Sequence, residues 1–288
     1  MKKVNFTKMV ASGNDFVVID SYPTHAKAWV PRVTSHQSLA KNICDRIYGV
    51  GADGLLVLEK SLPTEQAGKI ADIRMRIFNS DGSEAEMCGN GARCVAFYSV
   101  KVSKRQSVKD KIKIETRAGV IEARVNGDNV KIKLTDPKNI KLGIPLKINN
   151  RLLKVNFVNT GVPHTVIFVE GLDKIDVQNL GRVIRYHKRF SPQGTNVNFV
   201  EVLSNNSIKV RTYERGVEDE TLACGTGRVA SALITARQST RAPEHQKINV
   251  HTQGGEVLKV YFDKINNGFK NVWLEGKAMI VFKGEYYV

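Results

Sequence analysis

The sequence predicts an α/β (α+β) protein of two pseudo-symmetric lobes, each a mostly antiparallel sheet wrapped around a central helix. Two similar segments carry this prediction: residues 86–93 read EMCGNGAR and residues 222–229 read LACGTGRV. In both, a cysteine follows a strand-like run and a turn, and an Ala/Val-rich helical pattern then begins. The second cysteine lies 136 residues after the first in a chain of 288, so the pattern indicates a duplicated fold.

The first half of the chain is predicted to consist mainly of short strands separated by Gly, Asn and Asp turns. One helix is predicted from Ser35, which is a good N-cap, to Arg46. A second helix is predicted from Gly89 to about Val102. The predicted strands of this half are residues 4–9, 16–20, 54–59, 73–78, 111–115, 120–125 and 130–134.

The second half repeats that order of elements. Helices are predicted over residues 177–186 and 226–240. Residues 51–59, GADGLLVLE, have a counterpart in residues 194–201, GTNVNFVE, which is further support for two similar lobes. The predicted strands of this half are residues 152–158, 164–168, 197–203, 207–213, 247–251, 256–262, 271–274 and 278–282.

The boundary between the lobes is expected near residues 132–150, where Pro137 and Pro145 interrupt the strand pattern. We therefore expect an N-terminal lobe over residues 1–135 and a C-terminal lobe over residues 136–275. The sequence leaves open whether the last strand, within residues 276–288, completes the first lobe.

Small side chains cover most of the circumference of the two helices that follow the cysteines. They include Ala92 and Ala96 in the first helix, and Ala230, Ala232 and Ala236 in the second. A surface helix would instead show one apolar stripe and one charged face. The composition therefore favours helices that are buried and surrounded by strands.

The bulk composition fits a soluble globular protein, with 42% hydrophobic and 25% charged residues. No segment has the apolar length that spans a bilayer, and residues 1–8 contain no signal-peptide core. A cytoplasmic location is therefore expected, with the four cysteines present as reduced thiols. We expect no membrane partner, and the sequence leaves a homodimer open.

The net charge of +16 raises the question of an anionic partner. The densest basic run, residues 101–113, contains six lysine or arginine residues and one aspartate. No zinc-finger spacing, aromatic RNA-binding signature or basic recognition helix accompanies this run, so nucleic-acid binding is disfavoured. A general attraction for dianionic metabolites fits the charge better.

A cysteine at a helix start lies among free backbone N–H groups, which are expected to stabilise its thiolate. Such a thiol could be a nucleophile, a metal ligand, a redox centre or a general base. A cysteine hydrolase needs only one cysteine, and zinc or dithiol redox sites would show Cys-x-x-Cys spacing, which is absent. One thiol per lobe fits acid–base work on opposite faces of a carbon, with either Cys88 or Cys224 taking the proton and the other donating one.

Each Gly-x-Gly turn adds an anion-binding feature, because glycine lets backbone N–H groups approach a ligand and a helix start favours negative charge. Two helix starts on one carboxylate would stabilise the charge that builds as an α-proton leaves. This is a route to acidifying an α-carbon without pyridoxal phosphate, and no lysine stands in a recognisable Schiff-base setting. We therefore expect neither a cofactor nor a metal.

Four segments of the chain resemble the diaminopimelate epimerase family. They are residues 78–94, FNSDGSEAEMCGNGARC; 213–227, YERGVEDETLACGTG; 9–16, MVASGNDF; and 49–54, GVGADG. The resemblance covers essentially the whole chain. It implies a small-molecule amino-acid substrate and a cofactor-free isomerase that interconverts LL- and meso-2,6-diaminoheptanedioate on the way to lysine and peptidoglycan, with its site between two pseudo-symmetric lobes.

The resemblance also implies roles for individual residues. Cys88 and Cys224 would be the two acid/bases. The residues whose backbone N–H groups would hold the reacting carboxylate are Gly89, Asn90, Gly225 and Thr226. The side chains that would read the ammonium and carboxylate groups of the substrate are Asn14, Asn79, Asn196, Glu214 and Arg215. His164 would lie close to Glu214 and tune the pocket.

Two positions depart from the family pattern. Gly54 stands where some members carry an amide, and Val162 stands where many carry asparagine before Pro-His. Both departures bear on how the far end of the substrate is held.

Alternatives remain at the level of the sequence. Proline racemase-like enzymes share the fold and two cysteines, but they tend to show histidine where this chain has Asn90. A basic nucleic-acid-binding protein built on a catalytically inactive duplicate is the rival from another class, and salt-sensitive DNA binding without α-proton exchange would support it. Cys44 and Cys94 are expected to be buried packing residues.

Overall fold

The chain divides into two compact units in a computed structural model. The first unit comprises Met1–Ile132 together with Gly276–Val288, and the second comprises Lys133–Glu275. The structure describes residues 3–21, 35–61, 71–103, 110–148, 151–222, 224–238, 245–266 and 268–288.

The first half of the chain contains two α-helices, α1 (His36–Ile43) and α2 (Gly89–Phe97), and a π-helical turn at Tyr98–Val102 continues α2. Ser35 caps α1 as predicted, since its Oγ accepts a hydrogen bond from the Ser38 backbone N–H at 3.0 Å. The strands of this half are β1 (Lys3–Ala11), β2 (Asn14–Asp20), β3 (Gly54–Glu59), β4 (Ile73–Asn79), β5 (Glu84–Ala85), β6 (Lys111–Thr116), β7 (Gly119–Asn126) and β8 (Asn129–Lys133).

The prediction that the first helix continues to Arg46 is wrong. Cys44 is the C-cap of α1, and the carbonyl of Ile43 accepts hydrogen bonds from the backbone N–H groups of Val50 and Gly51 at 2.8 and 3.1 Å. Because the chain turns back onto the helix end, it cannot continue the helix.

The second half contains α3 (Val177–Arg185) and α4 (Gly225–Gln238), together with 3₁₀ turns at Leu172–Lys174 and Lys188–Phe190. The strands of this half are β9 (Lys138–Ile148), β10 (Arg151–Asn159), β11 (Pro163–Phe168), β12 (Asn196–Ser204), β13 (Ser207–Glu214), β14 (Asp219–Thr221), β15 (His245–Thr252), β16 (Val257–Ile265), β17 (Gly268–Lys277) and β18 (Met279–Tyr287).

Strand β9 was not predicted, because Pro137, Gly143 and Pro145 were interpreted as an irregular connection. In the structure β9 pairs antiparallel with β10, and Pro145 lies opposite Lys154. The pairing contains two register shifts, and Gly143 adopts a positive φ of 63° within it. Pro145 itself lies in the regular part of the pairing, and among the described residues β9 pairs only with β10. A proline is tolerated on such an edge strand because its missing N–H is not needed by a second neighbour, so it does not end the strand.

The two units have the same strand connectivity. In the first unit β1–β2 is antiparallel, β2–β3 parallel, β3–β4 and β4–β5 antiparallel, β4–β6 parallel, and β6–β7–β8 antiparallel. The second unit repeats this series as β10–β11, β11–β12, β12–β13, β13–β14, β13–β15 and β15–β16–β17. The predicted pseudo-symmetry of a mostly antiparallel α/β fold is therefore confirmed.

A buried helix stands at the centre of each unit, as the small side chains predicted. In α2 every residue from Asn90 to Phe97 is buried, and the helix contacts β1, β2, β3, β4, β6 and β7. In α4 the residues from Gly227 to Ile234 are buried, and the helix contacts the equivalent strands β10, β11, β12, β13, β15 and β16. Burial on all sides keeps the first turn of each helix in a defined position.

A second helix covers the outer face of each sheet. In the first unit Leu39 and Ile43 of α1 belong to one hydrophobic cluster with Val17 of β2 and Leu55 of β3. In the second unit Val177 and Ile184 of α3 cluster with strand residues of β10 to β13. The strands are covered on both faces, which explains their continuous apolar runs.

In the parts of the chain that the structure describes, no helix is both long enough and apolar enough to cross a membrane. Residues 104–109 of the basic run and residues 239–240 of the last predicted helix lie outside the described residues.

Candidate active site

Cys88 is the N-cap residue of α2. Its backbone is extended, with φ −140° and ψ 123°, and its Sγ accepts a hydrogen bond from the Gly91 backbone N–H at 3.5 Å. Sulfur here takes the place of the side-chain oxygen that usually caps a helix. Cys88 is partly exposed, so this thiol is held at a helix start and is open to a ligand.

Cys224 comes directly before α4 and is only 5% exposed. Its Sγ lies 3.7 Å from the Thr226 hydroxyl. Burial, reinforced by the negative charge of Glu214, raises the pKa of the Cys224 thiol to about 12. The net pKa of Cys224 is therefore not lowered by the helix start, contrary to the expectation from the sequence. The hydrogen bonds from Gly227 and Thr226 favour the thiolate, but desolvation outweighs them.

A side chain at the second glycine of either Gly-x-Gly turn would be crowded. A Cβ on Gly227 would lie 3.2 Å from Cys224 Sγ and would also collide with the side-chain oxygen of Asn198. A Cβ on Gly91 would lie 3.1 Å from the Leu56 side chain. A Cβ on Gly89, by contrast, would make only an ordinary contact of 3.4 Å with Ile132. The close approach of the chain to the Cys224 thiol therefore depends on Gly227, whereas a side chain at position 91 would require Leu56 to shift by a few tenths of an ångström.

Cys44 and Cys94 are buried packing residues, as predicted. Burial raises the pKa of each of these thiols to about 12. Cys94 lies in the middle of α2, one and a half turns after Cys88, which makes it a matched control for the thiol at the helix start.

Asn14 and Asn90 are joined by a side-chain hydrogen bond. Asn90 Nδ2 donates to Asn14 Oδ1 at 2.6 Å, and Asn14 Nδ2 donates to Asp53 Oδ2 at 3.0 Å. The guanidinium of Arg93, which is fully buried, donates to Asn90 Oδ1 and, at 2.7 Å, to Ser12 Oγ. Two of the predicted site residues are thus brought together beside the start of α2.

Ion pairs support the loop that carries Asp53. Arg46 donates to Asp53 Oδ1 at 2.7 Å and to Asp15 Oδ1 at 3.0 Å. Burial alone would raise the pKa of Asp15, but hydrogen bonds from Lys8 and Arg46 outweigh it and hold that pKa at about 2. The Lys8 ammonium lies 2.7 Å from Asp15 and also donates to the Gly51 carbonyl.

Asn79 is exposed at the end of β4. Its Nδ2 donates to Ser83 Oγ at 2.9 Å, and its backbone N–H and carbonyl bond to Ser83 and Gly82 across a tight turn. The structure thus places Asn79 at a turn, in its own hydrogen-bonded loop.

Asn196 and Arg215 are connected in the second unit. Asn196 Nδ2 donates to the Pro163 carbonyl at 3.0 Å, and the Arg215 backbone N–H donates to Asn196 Oδ1 at 2.9 Å. The Arg215 guanidinium donates to the Gln193 carbonyl at 3.1 Å. Asn196 is buried and fixes the course of the chain at Arg215, whose side chain is partly exposed.

Glu214, at the end of β13, accepts a hydrogen bond from the Thr221 hydroxyl at 2.6 Å. Its charge also acts on the Cys224 thiol, as noted above. Thr226, in the first turn of α4, accepts a hydrogen bond at its carbonyl from Thr160 Oγ at 3.4 Å, which ties the helix start to the loop after β10. Gly225 is the first residue of α4.

His164 is fully buried and neutral. Burial, with a smaller contribution from the positive charge of Arg215, lowers the pKa of His164 to about 3. Its Nδ1 lies 3.2 Å from Asn198 Nδ2, while Asn198 Oδ1 accepts from Thr212 Oγ at 3.0 Å. Because the Asn198 amide nitrogen donates, Nδ1 of His164 accepts and Nε2 carries the proton.

The sequence reasoning missed the residues that hold these groups in place. Asp53, Arg93 and Asn198 are the main ones, and each supports a site residue from a different element. Asp53 and Arg93 lie within segments that marked the family resemblance, and Asn198 lies within the repeated segment 194–201, but nothing in those segments distinguishes them as supporting residues. Within the described ranges, no group of three or more His, Cys, Asp or Glu side chains could hold a metal ion.

A comparison with models of protein families shows which family the chain belongs to. The family model described as diaminopimelate epimerase matches residues 6–140 and 156–279, which include both cysteine motifs. The chain belongs to the diaminopimelate epimerase family.

Curated members of this family match nearly the full length of the chain. The diaminopimelate epimerase of Aquifex aeolicus (strain VF5) is 43% identical over 284 residues, covering 98% of this chain and 97% of the relative. That of Methanocella arvoryzae is 42% identical over 300 residues, covering 99% of this chain and 97% of the relative.

Solved structures with low sequence identity share the fold. A phenazine biosynthesis protein of the PhzF family from Bacillus anthracis has a TM-score of 0.73 at 20% identity, with both chains covered completely. A hydroxyproline epimerase from Agrobacterium vitis has a TM-score of 0.69 at 13% identity, covering 98% of this chain and 92% of the other. These likenesses concern the architecture alone.

Gly54 and Val162, the two positions at which this diaminopimelate epimerase family chain departs from the family pattern, have different surroundings in the structure. At Gly54 a Cβ would lie 2.8 Å from the Phe78 carbonyl oxygen, so a larger residue there requires a shift of the backbone. Val162 contributes its carbonyl, which accepts from the Thr160 backbone N–H at 3.1 Å. Neither position supplies a polar side chain.

Proposed function

We propose that this chain interconverts LL- and meso-2,6-diaminoheptanedioate without a cofactor, by two-base proton transfer at one α-carbon. The observation that carries the proposal is that each of two units with matching connectivity presents a cysteine at the start of its buried helix. Family membership supports the same reaction, because curated relatives over 40% identical across nearly the whole chain are diaminopimelate epimerases.

The proposed reaction needs one thiol on each face of the α-carbon. One sulfur, as thiolate, removes the α-proton and becomes a thiol, while the other thiol delivers its proton to the opposite face and becomes a thiolate. Atoms and charge balance, and the two sulfurs exchange protonation states in each turnover. We propose that Cys224, whose thiol is buried and has its pKa raised to about 12, is the proton donor in the state described here, and that Cys88, the partly exposed thiol, is then the base.

The negative charge that develops during proton removal must be stabilised on the substrate carboxylate. We propose that the backbone N–H groups of Gly89, Asn90, Gly225 and Thr226 hold that carboxylate. They belong to the first turns of α2 and α4, where N–H groups have no partner within the helix and the helix dipole favours negative charge. Such preorganised donors act most strongly where charge builds in the transition state.

Polar side chains would read the remaining ammonium and carboxylate groups. Arg215 suits a carboxylate because its planar fork can donate two parallel hydrogen bonds, and Glu214 suits an ammonium group. The amides that complete this proposed set are Asn14, Asn79 and Asn196. His164, held neutral, would support the pocket without adding charge.

Deuterium exchange tests the proposed reaction directly. Purified protein incubated with the LL isomer in deuterated water, with no added cofactor, should yield the meso isomer with deuterium at one α-position. Because the removed proton passes to a thiol that exchanges with solvent, the label enters at the inverted carbon. Chiral chromatography with mass spectrometry follows both changes. Recovery of the LL isomer unlabelled after long incubation would contradict the proposal.

We place the reaction in the cytoplasm, as a step toward lysine and peptidoglycan precursors. The four cysteines support this, since all of them are free thiols, as is usual in a reducing compartment.

We also propose that two copies of the chain pair through β18. This strand pairs with β1 and exposes a run of apolar side chains, Met279, Ile280, Val281 and Phe282. An exposed apolar run of this length is typical of an interface, and most soluble oligomers are two-fold symmetric dimers. Val281, which is 57% exposed, is at the centre of this run.

Sedimentation velocity tests the homodimer. The unchanged chain, at 32.0 kDa per copy, should sediment as a dimer, and Val281→Lys should sediment as a monomer because a buried lysine opposes strand pairing. Leu152→Lys, at an apolar residue on β10 that is 69% exposed, is the control and should remain dimeric. A monomeric unchanged chain would contradict this part of the proposal.

A further inference from the structure

A directional series of side-chain hydrogen bonds runs through the first unit, from Arg93 to Asp53. Arg93 donates to Asn90 Oδ1, Asn90 Nδ2 donates to Asn14 Oδ1, and Asn14 Nδ2 donates to Asp53 Oδ2. The series connects α2, the turn between β1 and β2, and the loop before β3. We call these four side chains the amide relay.

The two ends of the amide relay determine its polarity. A carboxylate only accepts hydrogen bonds, so Asn14 must turn its NH₂ toward Asp53 and its carbonyl toward Asn90. A guanidinium only donates, so Asn90 must turn its carbonyl toward Arg93 and its NH₂ toward Asn14. Either amide could flip by itself at small cost, but with these ends a flip of one breaks two hydrogen bonds at once.

The Asp53 end of the relay is itself held in place. Asp53 Oδ2 also accepts from the Asp15 backbone N–H at 3.3 Å, and Asp53 Oδ1 accepts from Arg46 at 2.7 Å. The Asp53 backbone N–H returns a hydrogen bond to Asp15 Oδ1 at 3.0 Å. These contacts orient the carboxylate toward Asn14 although the Asp53 side chain is 38% exposed.

In the second unit the residue that corresponds to Asp53 is an asparagine, Asn196, and its amide is oriented without a series of side chains. Residues 194–201 are the counterpart of residues 51–59, which places Asn196 opposite Asp53 in the repeat. There Asn196 is fixed by two backbone groups, the Pro163 carbonyl and the Arg215 N–H. The first unit uses a side-chain series instead, so its amides depend on the identity of the residue at position 53.

We propose that Asp53 is a positioning residue for the active site, which acts by fixing the orientation of the Asn14 and Asn90 amides. The inference rests on the proposed function, in which the Asn14 side chain and the Asn90 N–H contact substrate. Asn90 is two residues after Cys88, so the same amide relay restrains the helix turn that holds this thiol. The rate of proton transfer depends on how precisely such groups are oriented toward the substrate.

Three variants test the role of Asp53. Asp53→Ala removes the acceptor and should lower kcat/KM for epimerisation about tenfold. Asp53→Asn can still accept from Asn14 through its carbonyl and should stay within about threefold of the unchanged chain. Arg46→Met removes one of the three contacts that orient the Asp53 carboxylate but leaves the acceptor and both hydrogen bonds with Asp15, so its loss of kcat/KM should be clearly smaller than that of Asp53→Ala.

The side-chain amide resonances of Asn14 and Asn90 provide a readout that does not depend on activity. In protein labelled with ¹⁵N-asparagine, both resonances should shift in Asp53→Ala and remain near their original positions in Asp53→Asn. The thermal midpoint of all three variants should stay close to that of the unchanged chain, because Asp53 and Arg46 are both substantially exposed.

The outcomes separate this inference from the proposed function. If the unchanged chain fails to epimerise, the proposed function fails, while the two amide resonances still show whether the relay exists. Unmoved resonances in Asp53→Ala, or activity within twofold of the unchanged chain, would overturn the inference. A loss that Asp53→Asn does not restore, or that Arg46→Met reproduces, would assign the effect to the ion pair and would also overturn it.

Discussion

Alanine in place of either Cys88 or Cys224 is expected to lower the rate of epimerisation by about 10²–10⁴-fold, because each substitution removes one of the two groups that move the proton. The loss should appear in kcat for both stereoisomers, since the acid for one direction is the base for the other. Epimerisation is measured by chiral chromatography, starting from the LL and from the meso isomer.

Cys94→Ala is the matched control for these variants. Cys94 lies in the same helix as Cys88 and is fully buried, so its replacement costs some packing but leaves the first turn of α2 unchanged. The rate should stay within about threefold of that of the unchanged chain. The variant lacking both Cys88 and Cys224 should be no slower than either single variant, because groups that act as a unit are not additive.

A single variant that retained full activity would contradict the two-base assignment. If Cys88→Ala were inactive and Cys224→Ala were normal, one thiol would serve both faces or solvent would supply the second proton. If both were normal, the cysteines would have no part in proton transfer, and their matching placement at two helix starts would be structural only.

The architecture was largely predictable because the sequence contains an internal repeat. One cysteine motif alone would have been a weak signal, but two motifs 136 residues apart, with GADGLLVLE and GTNVNFVE at matching offsets, predicted two units with the same connectivity. The small residues of α2 and α4 predicted buried helices, since only small side chains let the surrounding strands pack close to the helix axis. Both predictions are confirmed by the pairing series and by the burial of the helices.

Local elements were less predictable where a tertiary contact overrides the local signal. The end of α1 depends on hydrogen bonds from the backbone N–H groups of Val50 and Gly51 to the Ile43 carbonyl. No pattern within residues 35–46 predicts these hydrogen bonds. Strand β9 contains Pro145 and Gly143, which normally indicate a loop, yet pairing with β10 extends through them. In both cases the partner segment is what decides the structure.

The site was predictable in its chemistry but not in its environment. Cysteine before Gly-x-Gly indicated a thiol at a helix start, and Cys88 is indeed the N-cap of α2. The amide relay could not be predicted, because Asp53, Asn14 and Arg93 come from separate elements. The pKa of Cys224 is shifted in the direction opposite to the prediction, since a helix start favours the thiolate but the burial of this 5%-exposed residue disfavours it more strongly.

The difference between the two thiols leads to a second large expected effect. Iodoacetamide at about pH 8 should alkylate Cys88 and leave Cys224 almost unmodified in the substrate-free protein. Only the thiolate reacts, and a thiol with a pKa of about 12 is ionised to roughly 10⁻⁴ at this pH. Cys224 is in addition 5% exposed, whereas Cys88 is partly exposed. Peptide mapping by mass spectrometry assigns the label to each cysteine.

The pH dependence of labelling tests whether the pKa of Cys224 is raised or lowered. Burial raises the pKa of Cys224, so its labelling rate should increase about tenfold for each unit by which the pH rises, up to about pH 12 or to unfolding. Cys44 and Cys94, whose pKa values are raised to about 12 by burial, should behave like Cys224 and serve as internal controls. In guanidinium chloride all four thiols should react equally, because unfolding removes the desolvation that distinguishes them.

Equal labelling of Cys88 and Cys224 in the folded protein would contradict the assignment of Cys224 as the resting thiol. The direction of catalysis assigned to each cysteine would then have to be reversed or abandoned, even if both alanine variants were inactive. Labelling of Cys224 that appears only when the meso isomer is present would instead agree with the proposed cycle, since turnover leaves the proton on the other sulfur and makes Cys224 the thiolate.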